Sequence, residues 1–107
     1  MKSLIRYKTK PESADENQRL VENVYKELTA RDPGGVHYAT LRLEDGVTFM
    51  HLFITDSDDA ANTLGGIAAF SEFQRNLLQR CAEPPVAQPV TVVGSYRLFG
   101  LELDEGR

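Results

Sequence analysis

The sequence contains no tryptophan, a single cysteine, two histidines and no long hydrophobic run. One cysteine, Cys81, excludes an internal disulfide and is typical of a protein in a reducing cytoplasm, which is where we expect this chain to reside. No apolar stretch approaches the roughly 20 residues that a transmembrane helix requires. We therefore expect a soluble cytoplasmic protein without a membrane partner.

Positive charge is also scarce relative to negative charge. Twelve basic residues are scattered among sixteen acidic ones, which gives a net charge of −4 and a pI near 5.1. Binding to a nucleic-acid backbone requires a basic surface, so we expect no nucleic-acid partner. With 107 residues, of which 41% are hydrophobic and 26% charged, the chain has the size and composition of one globular domain covering residues 1–107.

The strongest local signal is the dipeptide Asp45-Gly46, which lies between two strand patterns within Val36–Thr55. Asp-Gly is typical of a two-residue hairpin turn, because both of its residues tolerate a positive φ. Such a turn also fixes the register of the two strands. The predicted facing pairs include Arg42–Phe49, Thr40–His51 and Tyr38–Phe53.

Strand alternation gives this hairpin two faces of different character. One face is aliphatic and comprises Ala39, Leu41, Leu43, Met50, Leu52 and Ile54. The other is aromatic and partly polar and comprises Val36, Tyr38, Thr40, Arg42, Phe49, His51 and Phe53. A hairpin with one face in water would alternate between apolar and polar side chains, so we expect both faces to be covered. The pattern does not determine which face meets the helices.

A strand and a helix precede the hairpin. Lys2–Lys8 alternates as a strand. The capping-box pattern Ser13–Glu16 predicts the start of a helix, and apolar residues every three or four positions carry that helix to about Arg31.

A second helix and a last strand are predicted after the hairpin. The helix covers Ile67–Ala82, carries Cys81 on its apolar stripe, and is stopped by Pro84-Pro85. The last strand covers Val86–Leu103, where Pro89 requires a sheet edge, a bulge or a break because it cannot donate a hydrogen bond.

The resulting order is β-α-β-β-α-β. A ferredoxin-like α+β fold, in which two helices cover one face of a four-stranded antiparallel sheet, is the natural closure of this order. Its second sheet face would still be substantially apolar and too large for a monomer to expose. We therefore expect a homodimer in which the two sheets pack against each other.

Metal and phosphate sites are not expected. His37 and His51 fall on opposite faces of the hairpin. The acidic run that starts at Asp56 lacks the glycine and the glutamate of a calcium loop, since Ala61 and Ile67 occupy those places. The glycine pairs have neither a P-loop nor a dinucleotide-binding spacing. We expect no metal and no cofactor.

Several segments together resemble the antibiotic biosynthesis monooxygenase-like family. They are His37–Gly46, Ala69–Arg75, Glu83-Pro84-Pro85 and Val92–Arg97. The resemblance implies a dimeric α+β barrel built from ferredoxin-like protomers, with a small cavity between sheet and helices in active members. Those members range from cofactor-free oxygenases of polycyclic quinols to haem-degrading enzymes, and many have no assigned activity.

The sequence departs from that family at its chemical positions. Active members often use a tryptophan and an asparagine near the pocket, and the haem-degrading branch uses a histidine on the second helix. This chain has no tryptophan and no histidine on its predicted second helix, and Asn62 is its candidate for the pocket asparagine. These differences argue strongly against haem binding and mildly against quinol oxidation.

The aromatic hairpin face is the one place with the residues of a site. His51 is the candidate base, and Arg42 and Tyr38 are the candidate oxyanion or orienting partners. The remaining candidate substrate-binding residues are Phe49, Phe53, Asn62, Phe70 and Phe73. A buried Arg42 would need a carboxylate, for which Glu44, Glu102 and Asp104 are candidates.

Three functions are compatible with these residues. The first is a cofactor-independent monooxygenase, or a related enzyme, that acts on an aromatic or quinol-type small molecule. The second is a non-catalytic dimer that binds a small apolar ligand. The third is a structural domain in which Tyr38, Arg42 and His51 only satisfy one another by hydrogen bonds.

Overall fold

A computed structural model describes residues 1–57 and 60–98, apart from the side chains of residues 60 and 61. Within that part of the chain the strands and α-helices are β1 (Lys2–Thr9), α1 (Ala14–Arg31), β2 (Val36–Arg42), β3 (Thr48–Thr55), α2 (Ala68–Gln74), α3 (Leu77–Arg80) and β4 (Cys81–Pro89). Two 3₁₀ segments, Pro11–Ser13 and Ala60–Gly66, precede α1 and α2. None of the helices in this part of the chain combines the length and the apolar character needed to cross a lipid bilayer.

The four strands form one antiparallel sheet in the order β2-β3-β1-β4. This is the predicted ferredoxin-like arrangement, and α1 packs against α2. β4 lies at the edge, which explains how it accommodates Pro84, Pro85 and Pro89, because an edge strand has a row of amides without strand partners. Its pairing with β1 is irregular between Arg6 and Thr9.

The hairpin has the predicted register, with Arg42 opposite Phe49, Thr40 opposite His51 and Tyr38 opposite Phe53. Its turn is not the predicted two-residue type. The Leu43 amide donates to the Thr48 carbonyl at 2.9 Å, and of the Asp-Gly pair only Gly46 has a positive φ, 79°.

The Asp45 carboxylate organises this wider turn. It accepts hydrogen bonds from the amides of Val47 and Thr48 and from the Thr48 hydroxyl. These bonds hold the pKa of Asp45 down at about 2. The aspartate thus acts through its side chain rather than through a left-handed backbone.

Helix α1 has the predicted extent, but its start and end differ in detail. The Ser13 side chain makes no capping hydrogen bond, since its own backbone already has near-helical angles. At the other end Asp32, rather than a glycine, adopts the left-handed conformation, with φ 49°, and its amide donates to the Leu28 carbonyl.

The predicted helix Ile67–Ala82 was wrong in its second half. Asn76 adopts a left-handed conformation, with φ 62°, and divides the segment into α2 and the short α3. Cys81 therefore lies on β4 opposite Thr9 and not on a helix stripe. Burial raises the pKa of its thiol, which makes the thiolate scarcer.

The last strand also differs from its prediction. Pro84 and Pro85 lie inside β4 instead of preceding it, and the strand ends at Pro89. Residues 90–98 are not a strand, and the part of the prediction that covers residues 99–103 lies outside the described residues.

The aromatic hairpin face meets the helices. Phe49, His51 and Phe53 are all buried there, in a core that also contains Val24 and Phe73. The aliphatic face points away from the helices. Residues 90–98 pass over part of it and line an open, mostly apolar hollow of about 720 Å³ with Leu52 and Ile54, while Leu41 is 52% exposed.

We predict that Gly46→Ala destabilises the protein by about 1–2 kcal/mol, because a side chain at φ 79° places its Cβ too close to the backbone. The free space around Gly46 would itself accept a methyl group, so the cost is conformational. Gly34→Ala is the matched control, since its Cβ also meets open space but its φ is not positive. It should stay within about 0.5 kcal/mol of the parent. Urea unfolding of the three proteins measures both, and equal losses would contradict the strained-turn explanation.

Candidate functional site

His51 lies at the centre of the aromatic layer between sheet and helices. Only 2% of its surface is exposed. Its ring centroid is 5.3 Å from that of Tyr7, 5.7 Å from Tyr38 and 5.5 Å from Phe73. The position follows from the two-residue alternation of β3, which turns residues 49, 51 and 53 towards the helices.

Both ring nitrogens of His51 are hydrogen-bonded. Nε2 is 2.8 Å from the Tyr7 hydroxyl. Nδ1 is 2.8 Å from the Tyr38 hydroxyl and 3.0 Å from the Thr40 hydroxyl. The three partners come from β1 and β2, the strands on either side of β3, so the sheet order itself brings them together.

On the Nε2 side the bonds continue inwards through what we call the inner arm: Tyr7, Asn17 and Arg80. Asn17 Nδ2 donates to the Tyr7 hydroxyl at 2.8 Å, and Arg80 Nε donates to Asn17 Oδ1 at 3.1 Å. The other Arg80 nitrogens donate to the carbonyls of Phe73, at 2.6 Å, and Arg75, at 3.0 Å. The buried guanidinium thus lies at the negative end of α2.

On the Nδ1 side an outer arm of Thr40 and Tyr25 leads towards solvent. Their hydroxyl oxygens are 2.6 Å apart. Both side chains line a shallow cleft of about 280 Å³ between α1 and β2, which we call the α1–β2 cleft; its other lining residues are Gln18, Val21, Glu22, Arg42 and Phe49. A second hollow of the same size lies on the other side of Tyr25 and reaches Tyr38.

Burial keeps every group of this network uncharged near neutral pH, apart from the guanidinium. It lowers the pKa of His51 to about 4, because the imidazolium form loses hydration. It raises the pKa of Tyr25 to about 12, and those of Tyr7 and Tyr38 further, since each phenolate would be desolvated. The network is therefore a set of neutral donors and acceptors.

Most of the predicted site residues do come together. Tyr38, Phe49, Phe53 and Phe73 belong to the same buried layer as His51, and Phe70 packs against Phe73 with 6.2 Å between ring centroids.

Arg42 lies apart from His51. Its guanidinium binds Asp15 and Gln18 on α1 and the Gly46 carbonyl, and it lies 5.6 Å from the centre of the Phe49 ring. Asp15, rather than the predicted Glu44, is its carboxylate partner. The other two candidates, Glu102 and Asp104, lie outside the described residues.

Asn62 is exposed, in the 3₁₀ segment that precedes α2. It makes none of the His51 contacts described above.

Sequence reasoning missed Tyr7, Asn17, Tyr25 and Arg80 as functional candidates. Asn17 carried a detectable signal, since it precedes Val21, Val24 and Leu28 at the spacing of the buried stripe of α1. A polar residue at such a position needs a buried partner. Arg80 gave no comparable signal, because it depends on the break at Asn76.

Residues 1–57 and 60–98 contain no group of three histidine, cysteine, aspartate or glutamate side chains placed to hold an ion.

Neither a protein-family model nor a curated protein matches this chain. Its structure is similar to that of SnoaB, a cofactor-independent oxygenase from Streptomyces nogalater, with a TM-score of 0.64 and 16% identity over 88% of this chain and 93% of SnoaB. It is also similar to two proteins provisionally named antibiotic biosynthesis monooxygenases. The one from Caulobacter crescentus gives a TM-score of 0.68 and 22% identity over 87% of this chain and 89% of that chain. The one from Nitrosomonas europaea gives a TM-score of 0.71 and 13% identity over 86% of this chain and 88% of that chain. At these identities the shared feature is the fold.

We predict that the stability of the protein falls as the pH decreases from about 6.5 to 4. The unfolded chain protonates His51 near pH 6.5, whereas the folded chain keeps it neutral down to about 4, so acid favours unfolding over this interval. The contribution of His51 is on the order of 3 kcal/mol, with a slope of at most about 1.4 kcal/mol per pH unit. Urea unfolding at several pH values measures it.

Two variants test the assignment of this slope. His51→Gln should lose the part of the slope above about pH 5, whatever its absolute stability, because Asp45, whose pKa is also lowered in the folded chain, contributes only below that pH. His37→Gln is the control, because His37 is exposed, lies on the opposite face of β2 from Tyr38 and Thr40, and hydrogen-bonds to Asp56 rather than to the network. A slope above about pH 5 that persists in His51→Gln would show that another group is responsible.

Proposed function

We propose that this chain is a cofactor-independent monooxygenase that binds a small phenolic or enolic molecule as its anion and allows it to react with O₂. For an anthrone-type quinol, oxidation of the ring methylene group to a ketone is balanced as CH₂ + O₂ → C=O + H₂O. The observation that carries the proposal is the hydrogen-bonded path from buried His51 through Thr40 and Tyr25 to the α1–β2 cleft. The fold shared with SnoaB supports the same reaction class.

The cleft offers the groups that such an anion needs. Arg42 supplies a positive charge, the hydroxyls of Thr40 and Tyr25 supply hydrogen bonds, and Phe49 and Val21 supply apolar walls. His51 reaches a molecule in the cleft only through the two hydroxyls, whether it takes a proton or donates a hydrogen bond. An electron-rich anion can then transfer an electron to O₂ without a metal or a flavin.

One observation favours a second function, the binding of a small apolar ligand without turnover. Both nitrogens of His51 already have partners, and its pKa is low for a base that works near neutral pH. These properties are also those of a structural network in a domain that binds a small apolar ligand without transforming it.

We further infer that residues 1–107 form one domain that pairs as a homodimer in the cytoplasm. The aliphatic sheet face that the helices leave uncovered would be the interface. A stable interface buries roughly 800 Å² or more per protomer, which a four-stranded sheet face can supply.

Turnover is tested with an anthrone-type quinol in an oxygen electrode. We predict O₂ uptake by the parent chain and a loss of about 100-fold or more in His51→Ala and Thr40→Val, because both interrupt the path to the cleft. His37→Ala, the exposed histidine, should retain the parent rate. Binding of the quinol without O₂ uptake would select the ligand-binding function, and equal rates in all variants would remove the path from the mechanism.

Sedimentation tests the dimer. We predict a 24 kDa particle, about twice the 12.0 kDa chain, at micromolar concentration. Leu41→Lys should produce monomers, because it places a charge on the exposed part of the aliphatic face. Leu78→Lys is the matched control on α3, at a leucine that is also exposed, and it should leave the dimer intact. A parent chain that sediments as a monomer would contradict the barrel.

A further inference from the structure

The direction of the hydrogen bonds in the inner arm is determined by Arg80. A guanidinium can only donate, so the Asn17 atom that lies 3.1 Å from Arg80 Nε must be the amide oxygen. This assigns the orientation of the amide. Asn17 therefore presents its NH₂ group to Tyr7 and donates to the Tyr7 oxygen at 2.8 Å.

The Tyr7 hydroxyl must then donate onwards. It accepts from Asn17, and its other hydrogen-bond partner among the described residues is His51 Nε2, at 2.8 Å. If Nε2 carried a hydrogen, the hydroxyl hydrogen of this buried tyrosine would have no acceptor, which costs about 1–3 kcal/mol. The favourable arrangement is a Tyr7 hydroxyl that donates to an unprotonated Nε2.

A neutral imidazole with an unprotonated Nε2 carries its hydrogen on Nδ1. Nδ1 faces Thr40 and Tyr38. The Tyr38 oxygen can accept from Nδ1, and its own hydrogen can turn towards the hollow that Tyr38 lines, because Tyr38 is only partly buried whereas Tyr7 is 2% exposed. Thr40 can accept this hydrogen bond and donate its own hydrogen to the Tyr25 oxygen, 2.6 Å away, which leaves the Tyr25 hydroxyl hydrogen free to point into the cleft. Every donor from Arg80 to Tyr25 then points in the same direction, towards the cleft.

We infer that Asn17 and Arg80 are positioning residues that hold His51 in its Nδ1–H form, so that His51 strengthens hydrogen-bond donation to an anion in the α1–β2 cleft rather than acting as the base. The substrate proton then leaves to water, and the donor chain and Arg42 stabilise the anion that stays behind. The role towards the anion rests on the proposed function, whereas the orientation of His51 does not.

The orientation is tested by long-range ¹H–¹⁵N correlation spectra of the ¹⁵N-labelled protein near neutral pH, which distinguish the two neutral imidazole forms. The His51→Gln variant lacks the imidazole signals of residue 51 and so identifies them in the parent spectrum. We expect the Nδ1–H form in the parent chain. A parent chain with the Nε2–H form would overturn the inference.

Asn17→Asp is designed to reverse the direction of the hydrogen bonds in the inner arm. A carboxylate keeps the contact with Arg80 as an ion pair but can only accept, so Tyr7 must turn its hydrogen towards residue 17 and accept from His51. We expect the Nε2–H form in this variant. Asn23→Asp makes the same chemical change on the same helix outside the network and should retain the parent form. An Asn17→Asp protein that keeps the Nδ1–H form would overturn the role of Asn17.

Tyr7→Phe provides a second variant should Asn17→Asp not fold. It removes the group that fixes Nε2 as an acceptor, so both neutral forms should become populated. A pure Nδ1–H form in Tyr7→Phe would show that the inner arm does not control His51.

The donor role is tested with p-nitrophenol, whose absorption distinguishes phenol from phenolate. The parent chain should bind the phenolate, and Asn17→Asp should bind it about tenfold or more weakly, as expected for losing a hydrogen bond to a charged group. Unchanged phenolate affinity in a variant with the reversed form would overturn the donor role. A parent chain with the Nδ1–H form that binds no phenolate would uphold the orientation and remove the proposed function.

Discussion

The burial of one imidazole between sheet and helices imposes the arrangement of the rest of the core. His51 is on β3, where alternation turns it away from water, and each of its nitrogens must find a partner because an unbonded polar atom is costly in a medium of low dielectric constant. Those partners come from β1 and β2, their own partners Asn17 and Tyr25 come from α1, and Arg80 of α3 bonds to Asn17 in turn. A single side chain thereby couples four other elements into one network.

The break in the second helix makes the buried cation of this network possible. A continuous helix through residue 76 would carry residue 80 past the end of α2 and satisfy the carbonyls of Phe73 and Arg75 within the helix. The left-handed Asn76 ends that run, so Arg80 folds back, satisfies both carbonyls and reaches Asn17. The guanidinium is thus balanced by the helix end and amide oxygens, without a carboxylate within ion-pair distance in residues 1–57 and 60–98.

The parts of the fold that short-range rules govern could be predicted from the sequence. Register in the hairpin follows from period-two alternation about the Asp45-Gly46 turn, and α1 follows from its apolar spacing, so the association of Tyr38, Thr40 and His51 was predictable. The break at Asn76 was not, because apolar residues continue through it with helical spacing. Arg80 could not be placed for the same reason. The Asn17–Tyr7 contact joins α1 to β1, and no local pattern encodes such a pairing.

Period-two alternation also places a polar network and an uncovered apolar surface on opposite faces of the same hairpin. The aromatic face of the hairpin is closed by helices of the same chain, which fixes a polar network and its path to the α1–β2 cleft. No helix in residues 1–57 and 60–98 covers the aliphatic face, and residues 90–98 lie over only part of it. Side chains on adjacent strand positions therefore serve different surfaces: Thr40 belongs to the path to the cleft and Leu41 to the uncovered face. Substitutions on the uncovered face can change that surface without touching His51, because the sheet backbone lies between them.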